Sequence, residues 1–425
     1  MRGLVLALAL VPLPATGEFF TLKGHGGPIM GIATAPDGRI ATASFDNSVG
    51  LWSDRRPEWL EGHEAAVNSV AFNGRAIYSA GDDFTLRRWP GGEIVGQHKG
   101  KIVGVAASKT HVATASWDGT IGLWPEDGSA AQTLTAGSGV NAVTFSPDGT
   151  TLYSAGIDGT LRVWDVTSGQ ETQRLVEHGF GINELVLNVT DNWIAYGAVD
   201  GVTRILDLST GEERDFTLDR RPILALALSP DRRLLAVGDG EGYIMVIDTV
   251  EWNIAQDFRA TLRGPVWALA FSADGQNIHA GGIDEAMYSW PVSALGDQEQ
   301  MAAVEPSFLK NPEEMSNGER QFARKCSICH SLTPDGQRRA GPTLHGVFGR
   351  KAGTLPGYFY SDTLQDSDIV WNDETINALF DEGPDHYIPG SKMPMQRITQ
   401  AQDRDDLIAF LRRATAPENK TGGDQ

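Results

Sequence analysis

Cys326-Ser327-Ile328-Cys329-His330 places two thiols two residues apart and an imidazole directly after the second. That spacing suits covalent capture of a haem: each thiol adds across one vinyl group, and the histidine that follows can ligate the iron. Other uses of the pair fit less well. A structural disulfide in so tight a loop is strained, and a redox dithiol has no need of the histidine. A structural zinc ion requires a second pair of ligands, whereas these are the only two cysteines among 425 residues. The motif therefore points to one covalently bound haem of the c type.

Such a group needs a shell to hold it, and the carboxy-terminal quarter of the chain has the parts. Gly318-Glu319-Arg320-Gln321-Phe322 precedes the motif as a helix, with Gly318 and Phe322 one turn apart on the side that meets a last helix. That last helix is read over residues 403–413, where Leu407, Phe410 and Leu411 share a face. Between them stand Gly341-Pro342-Thr343-Leu344-His345-Gly346, then Arg350, Gly357-Tyr358-Phe359-Tyr360, Trp371 and Tyr387-Ile388-Pro389-Gly390-Ser391-Lys392-Met393. This ordered set resembles the single-haem cytochrome c of the mitochondrial and bacterial soluble class, nearly end to end over residues 312–425.

The resemblance implies a small all-α domain and a role for each residue. His330 would be the proximal ligand and Met393 the distal thioether, a pair that raises the reduction potential and fills both axial positions. The Pro342 carbonyl would accept the other ring N–H of His330 and fix its tautomer. Arg350, Tyr360 and Trp371 would stand near the haem propionates, with the Ser391 hydroxyl beside them. The chain departs from the pattern in places. Leu379 falls where the family usually has a Tyr bonded to the methionine sulfur, and Leu364 where an Asn is common, so the distal polar network is expected to be thin. Met395 is a rival distal ligand, with Met393 favoured because it follows Pro389-Gly390-Ser391-Lys392 in register. His345 and His386 are exposed candidates for misligation.

From residue 18 to 292 the chain repeats itself. A strand of small residues, a turn and an apolar strand ending in Trp or a substitute recur at Trp52, Trp89, Trp124, Trp164, Leu206, Ile247 and Trp290, in steps of 35 to 43 residues. Ahead of these lie Asp46-Asn47, Asp82-Asp83, Asp118-Gly119, Asp158-Gly159, Asp200-Gly201, Glu241-Gly242 and Asp284-Glu285, each read as a hairpin turn. Gly24-His25, Gly62-His63, Gln97-His98 and Glu177-His178 open four units, and Trp164-Asp165 closes one. The set resembles the WD-repeat β-propellers. That implies seven four-stranded blades, the last completed by the amino-terminal strand around Phe19-Phe20-Thr21-Leu22. It also implies that His25, His63, His98 and His178 pin strands together with the turn Asp and the Trp, and not that they bind a metal. The whole is thus expected to be multidomain, an all-β seven-bladed propeller followed by a small all-α cytochrome c domain.

Arg2, the apolar run 4–11, Pro12 and Pro14, and the small residues Ala15-Thr16-Gly17 read as an export signal over residues 1–17. The run is too short to span a bilayer, no membrane span is read elsewhere, and a periplasmic location is expected. Residues 293–311 are polar and aperiodic, as a linker would be. The formal charge of -20 argues against nucleic acid. It is unevenly placed: from Gly318 on there are 13 basic and 15 acidic side chains, against 22 and 40 before it. The chain reads as a carrier of one electron whose propeller docks a redox protein partner, more than as a substrate-converting enzyme. Two other functions stay open: a propeller oxidoreductase feeding its own haem, and a sensor or peroxidase with a labile methionine.

Overall fold

Each repeat opens with a strand whose first buried position is branched and apolar. Ile29, Val67, Ile102, Val140, Ile182, Ile223 and Val266 are all almost completely buried. Directly after each of them the pairing with the second strand slips by one residue, a β-bulge that recurs in every unit and adds twist where the ring is narrowest. The second strands answer with small residues. A Cβ on Gly197 would come within 2.3 Å of Ile223, one on Gly238 within 2.7 Å of Val266, and one on Gly281 within 2.5 Å of Ile29. Each blade thus receives the apolar side chain of the next, and the last contact in that series closes the ring onto the first blade.

These relations come from a computed structural model, which describes residues 17–261, 263–295, 314–334, 339–358, 360–393 and 396–416. The leader read over residues 1–17, Gly17 apart, most of the linker read over 293–311, and Met395 lie outside the described residues. Among the described residues there are seven four-stranded antiparallel sheets. Six are built from consecutive strands. In the seventh, the strand Phe20–Lys23 pairs with Ala286–Pro291, so the amino-terminal strand completes the last blade as expected. This covers an edge that would otherwise be open to other chains.

The histidine network has the expected form in three blades. In the first, Trp52 Nε1 donates to Thr42 Oγ1 at 2.8 Å, Thr42 lies 2.7 Å from His25 Nε2, and His25 Nδ1 lies 3.0 Å from Asp46. Ser79 joins Trp89, His63 and Asp83 in the same way, and Thr114 joins Trp124, His98 and Asp118. Where signature residues are missing, arginine takes over. His178 still reaches Asp200, but the Leu206 side chain has no N–H to give, and Arg204 bonds that carboxylate at 2.9 Å. In the fourth blade Arg162 bonds Asp158. In the sixth, whose hairpin turn carries Glu241, the carboxylate that takes an arginine is Asp239, bonded to Arg220.

The carboxy-terminal domain is helical: α1 (Asn317–Lys325), α2 (Asp362–Gln365), α3 (Asp373–Glu382), α4 (Pro384–Tyr387) and α5 (Ala401–Ala414). Ser316 caps α1 by accepting from the Glu319 N–H, and Asn372 and Thr375 form a reciprocal capping box on α3. α1 crosses α5 at Gly318, where a side chain would run into the Asp406 carbonyl, and the Phe322 and Phe410 rings lie 5.7 Å apart. Among the described residues no helix is long and apolar enough to cross a membrane.

Candidate haem site

α1 delivers the motif. Its last turn runs into Cys326, whose N–H bonds the Phe322 carbonyl, and the chain then turns so that the Cys329 and His330 N–H groups bond back to the Cys326 carbonyl. The Gly341 N–H donates to the Cys329 carbonyl at 2.7 Å, tying the loop beyond to the same turn. His330 Nδ1 lies 2.7 Å from the Pro342 carbonyl. A carbonyl only accepts, so the ring proton sits on Nδ1 and Nε2 keeps its lone pair for a metal. Burial pulls the His330 pKa below its ordinary value, which keeps the ring neutral, as a metal ligand must be. Gly341 is required here, because a Cβ at that position would stand 2.4 Å from the imidazole.

Cys326, Cys329, His330, Pro342, Arg350, Tyr360, Trp371, Ser391 and Met393 all line one cleft. Part of the cleft is open to solvent. Leu344, Val347, Leu364, Ile376, Leu379, Phe380, Ile388 and Leu411 complete a largely apolar lining. Leu364 and Leu379 thus stand where the sequence placed apolar residues in a normally polar distal network. A flat apolar ring with a charged margin fits this lining. Two thiols and a neutral imidazole on one turn, with a thioether also facing the cleft, form the donor set that a covalent haem requires. Burial pushes the free Cys326 thiol up to about 12, with Cys329 adding to the effect. It pushes Cys329 up to about 11, with Arg339 opposing.

Arg350 is held by donating to the His345 and Thr343 carbonyls at 3.0 and 2.8 Å, which fixes its guanidinium at the cleft. Burial lowers its pKa. His345 is half-buried, not exposed as the sequence suggested, because it sits inside this turn; neither it nor His386 lines the cleft. Tyr358, to which the sequence assigned no role, lines the cleft and donates its hydroxyl to the Ala340 carbonyl at 2.5 Å. Its spacing of two from Tyr360 was the available signal. A second omission is larger: Phe45, Asn47, Ala65, Ala66 and Asp82 of the propeller also line the cleft.

Comparison with known proteins agrees with this geometry. The family model for cytochrome c matches residues 315–415. The model for the WD domain, G-beta repeat, matches residues 18–53, 57–90, 93–125 and 128–165. Cytochrome c of Gibberella zeae is 41% identical over 102 residues, which are 24% of this chain and 95% of the relative. Cytochrome c of Sesamum indicum is 40% identical over 107 residues, 25% of this chain and 94% of the relative. That of Theileria parva is 39% identical over 116 residues, 27% and 99%. The later blades lie outside the repeat matches and are established by their sheets and shared register. By its carboxy-terminal segment the chain belongs to the cytochrome c family, there fused to a seven-bladed propeller of WD repeats.

Proposed function

We propose that this is an exported carrier of one electron, in which Cys326 and Cys329 bond a single haem covalently, His330 and Met393 ligate it, and the propeller docks a redox protein partner. A haem held there supplies a couple between ferric and ferrous iron. The observation that carries the reading is the convergence of both cysteines, His330 and Met393 on one apolar cleft, with His330 Nδ1 committed to the Pro342 carbonyl. That bond fixes the ring's tautomer and orientation and leaves Nε2 as the ligating nitrogen. Two protein ligands leave no open position for a substrate, which favours electron transfer over chemistry at the metal. Arg350 and the tyrosines at the margin offset the acidic edge of the ring. The leader-like amino terminus and covalent attachment together support a periplasmic location.

The test is the absorption spectrum of the purified full chain, oxidised and reduced, with and without carbon monoxide. One c-type haem that ignores carbon monoxide is expected, and rapid binding would refute the two-ligand assignment. Met393→Ala should lower the reduction potential and admit carbon monoxide; an unchanged spectrum would assign the distal position to another residue, with Met395 next to be replaced. Changing Cys326 and Cys329 together to Ala should let acidified organic solvent extract the haem. Haem that still resists extraction would refute thioether attachment.

A further inference from the structure

The helical domain does not close its own cleft. Phe45, Asn47, Ala65, Ala66 and Asp82 line it beside Cys326 and Cys329. They belong to the connections 45–47, 62–66 and 82–84 of the first two blades. In an up-and-down sheet alternate connections emerge at the same end, so all three lie on one face of the ring, as does the connection holding Glu285 in the last blade.

Arg339 crosses to that face. Its Nη1 donates to the Gly26 carbonyl at 3.3 Å and to the Glu285 carboxylate. The Arg339 side chain is only 14% exposed. It starts from the loop whose Gly341 N–H is bonded to the Cys329 carbonyl of the attachment turn and whose Ala340 carbonyl accepts from Tyr358. The contact therefore forms at the rim where the two cysteines hold their ligand.

We propose that this propeller face is a built-in lid for the rim of the haem at Cys326 and Cys329, latched by Arg339 to Glu285 and Gly26, and that an external redox protein must displace it to reach that rim. The inference rests on the carrier reading above. Two protein surfaces cannot occupy one rim, so the lid and an external protein compete, and the apparent affinity of the external protein falls by the fraction of molecules that are closed. The lid can open because the Glu285 end of its latch is 43% exposed, and ion pairs so placed are weak and screened by salt.

The test compares the full, haem-loaded chain with its Glu285→Lys and Glu285→Gln variants by hydrogen exchange and by reduction kinetics. Reduced cytochrome c serves as a protein-sized donor and ascorbate as a small one. Connections 137–139 and 157–159, on the same face but away from the cleft, are internal controls. With Glu285→Lys, exchange at residues 25–28 and 64–66 should rise about fivefold, the scale of one partly exposed ion pair. Reduction by the protein donor should rise in step, while the control connections and the ascorbate rate stay unchanged. Glu285→Gln should do the same to a smaller extent, and it stands alone if the charge reversal does not fold. The lid is overturned if residues 25–28 and 64–66 exchange as fast as the controls in the unmodified chain, or if neither variant moves exchange or the protein-donor rate. An intact spectrum in that case leaves the carrier reading standing, whereas loss of covalent haem from the unmodified chain defeats the carrier reading itself.

Discussion

Gly318→Ala tests the joint that holds the haem domain together. A Cβ built on Gly318 would lie 2.0 Å from the Asp406 carbonyl oxygen, 2.6 Å from its carbon and 2.8 Å from Phe410 Cβ. The obstacle is backbone in the middle of α5, so no side-chain rotation relieves it, and the two helices must part by about 1 Å to reach ordinary contact. Overpacking of this kind costs about 1–3 kcal/mol, and a backbone obstacle puts it at the upper end. Loosening the Phe322 and Phe410 rings from their 5.7 Å contact adds ~1 kcal/mol. Against this, alanine gains about 1 kcal/mol over glycine inside a helix. The balance is a loss of about 3 kcal/mol, a large part of the 5–15 kcal/mol typical of a folded domain. Urea unfolding of the full chain, followed at the haem band, should show a lower midpoint at unchanged slope, with the propeller transition left in place. A midpoint that stays put or rises would mean that α1 and α5 do not meet at Gly318, and the reasoning would fail.

Two further predictions concern the propeller. Asp46→Ala should cost about 3 kcal/mol in the propeller transition, because it strands buried His25, Ser48 and the Gly26 N–H, all bonded to that carboxylate; a loss within error would show the network to be dispensable. His279 should make the seventh blade acid-sensitive. Burial pushes its pKa down to about 4 from an ordinary 6.5, only weakly opposed by Asp274, so the unfolded chain binds the extra proton first. Stability is then full above pH 6.5 and is lost as the pH falls towards 4, by about 3 kcal/mol. Urea midpoints between pH 7 and 4.5 measure it, and His279→Gln should flatten that part of the profile; a profile that His279→Gln leaves unaltered would contradict the assignment.

Much of this was legible because it recurs or because chemistry constrains it. The seven turns and their acids sit at one register, and even Leu206 and Ile247 keep their places because the position is apolar before it is tryptophan. The haem motif is readable for another reason: two thiols and an imidazole at that spacing have few other uses. The pairing of Pro342 with His330 came from the family resemblance alone, and His330 Nδ1 lies 2.7 Å from the Pro342 carbonyl. The arginine substitutions were not legible. Arg162 and Arg204 drew no role from the sequence, yet each lies four residues after the carboxylate it bonds and reaches back across the hairpin turn. Nothing in a strand's own alternation tells a salt-bridged arginine from a solvated one. In the sixth blade the same ambiguity hid which of Asp239 and Glu241 takes Arg220.

The seam between the two halves was hidden for a different reason. Local pattern reports which face of an element is apolar, but a docking contact needs only a few side chains, and these arise in segments far apart in the chain. Gly26, Glu285 and Arg339 meet across 313 and 54 residues, and Phe45, Asn47, Ala65 and Ala66 are residues any hairpin turn would accept. Small side chains serve at such a face because they let another backbone approach, and in sequence they look like nothing more than turns. The charge count carried a trace of it. With an acidic propeller beside a nearly neutral helical domain, contacts in which the helical domain offers the cation are the favoured kind, as Arg339 does to Glu285. At Glu285 the cation that this acidity would draw from outside is supplied from within the chain.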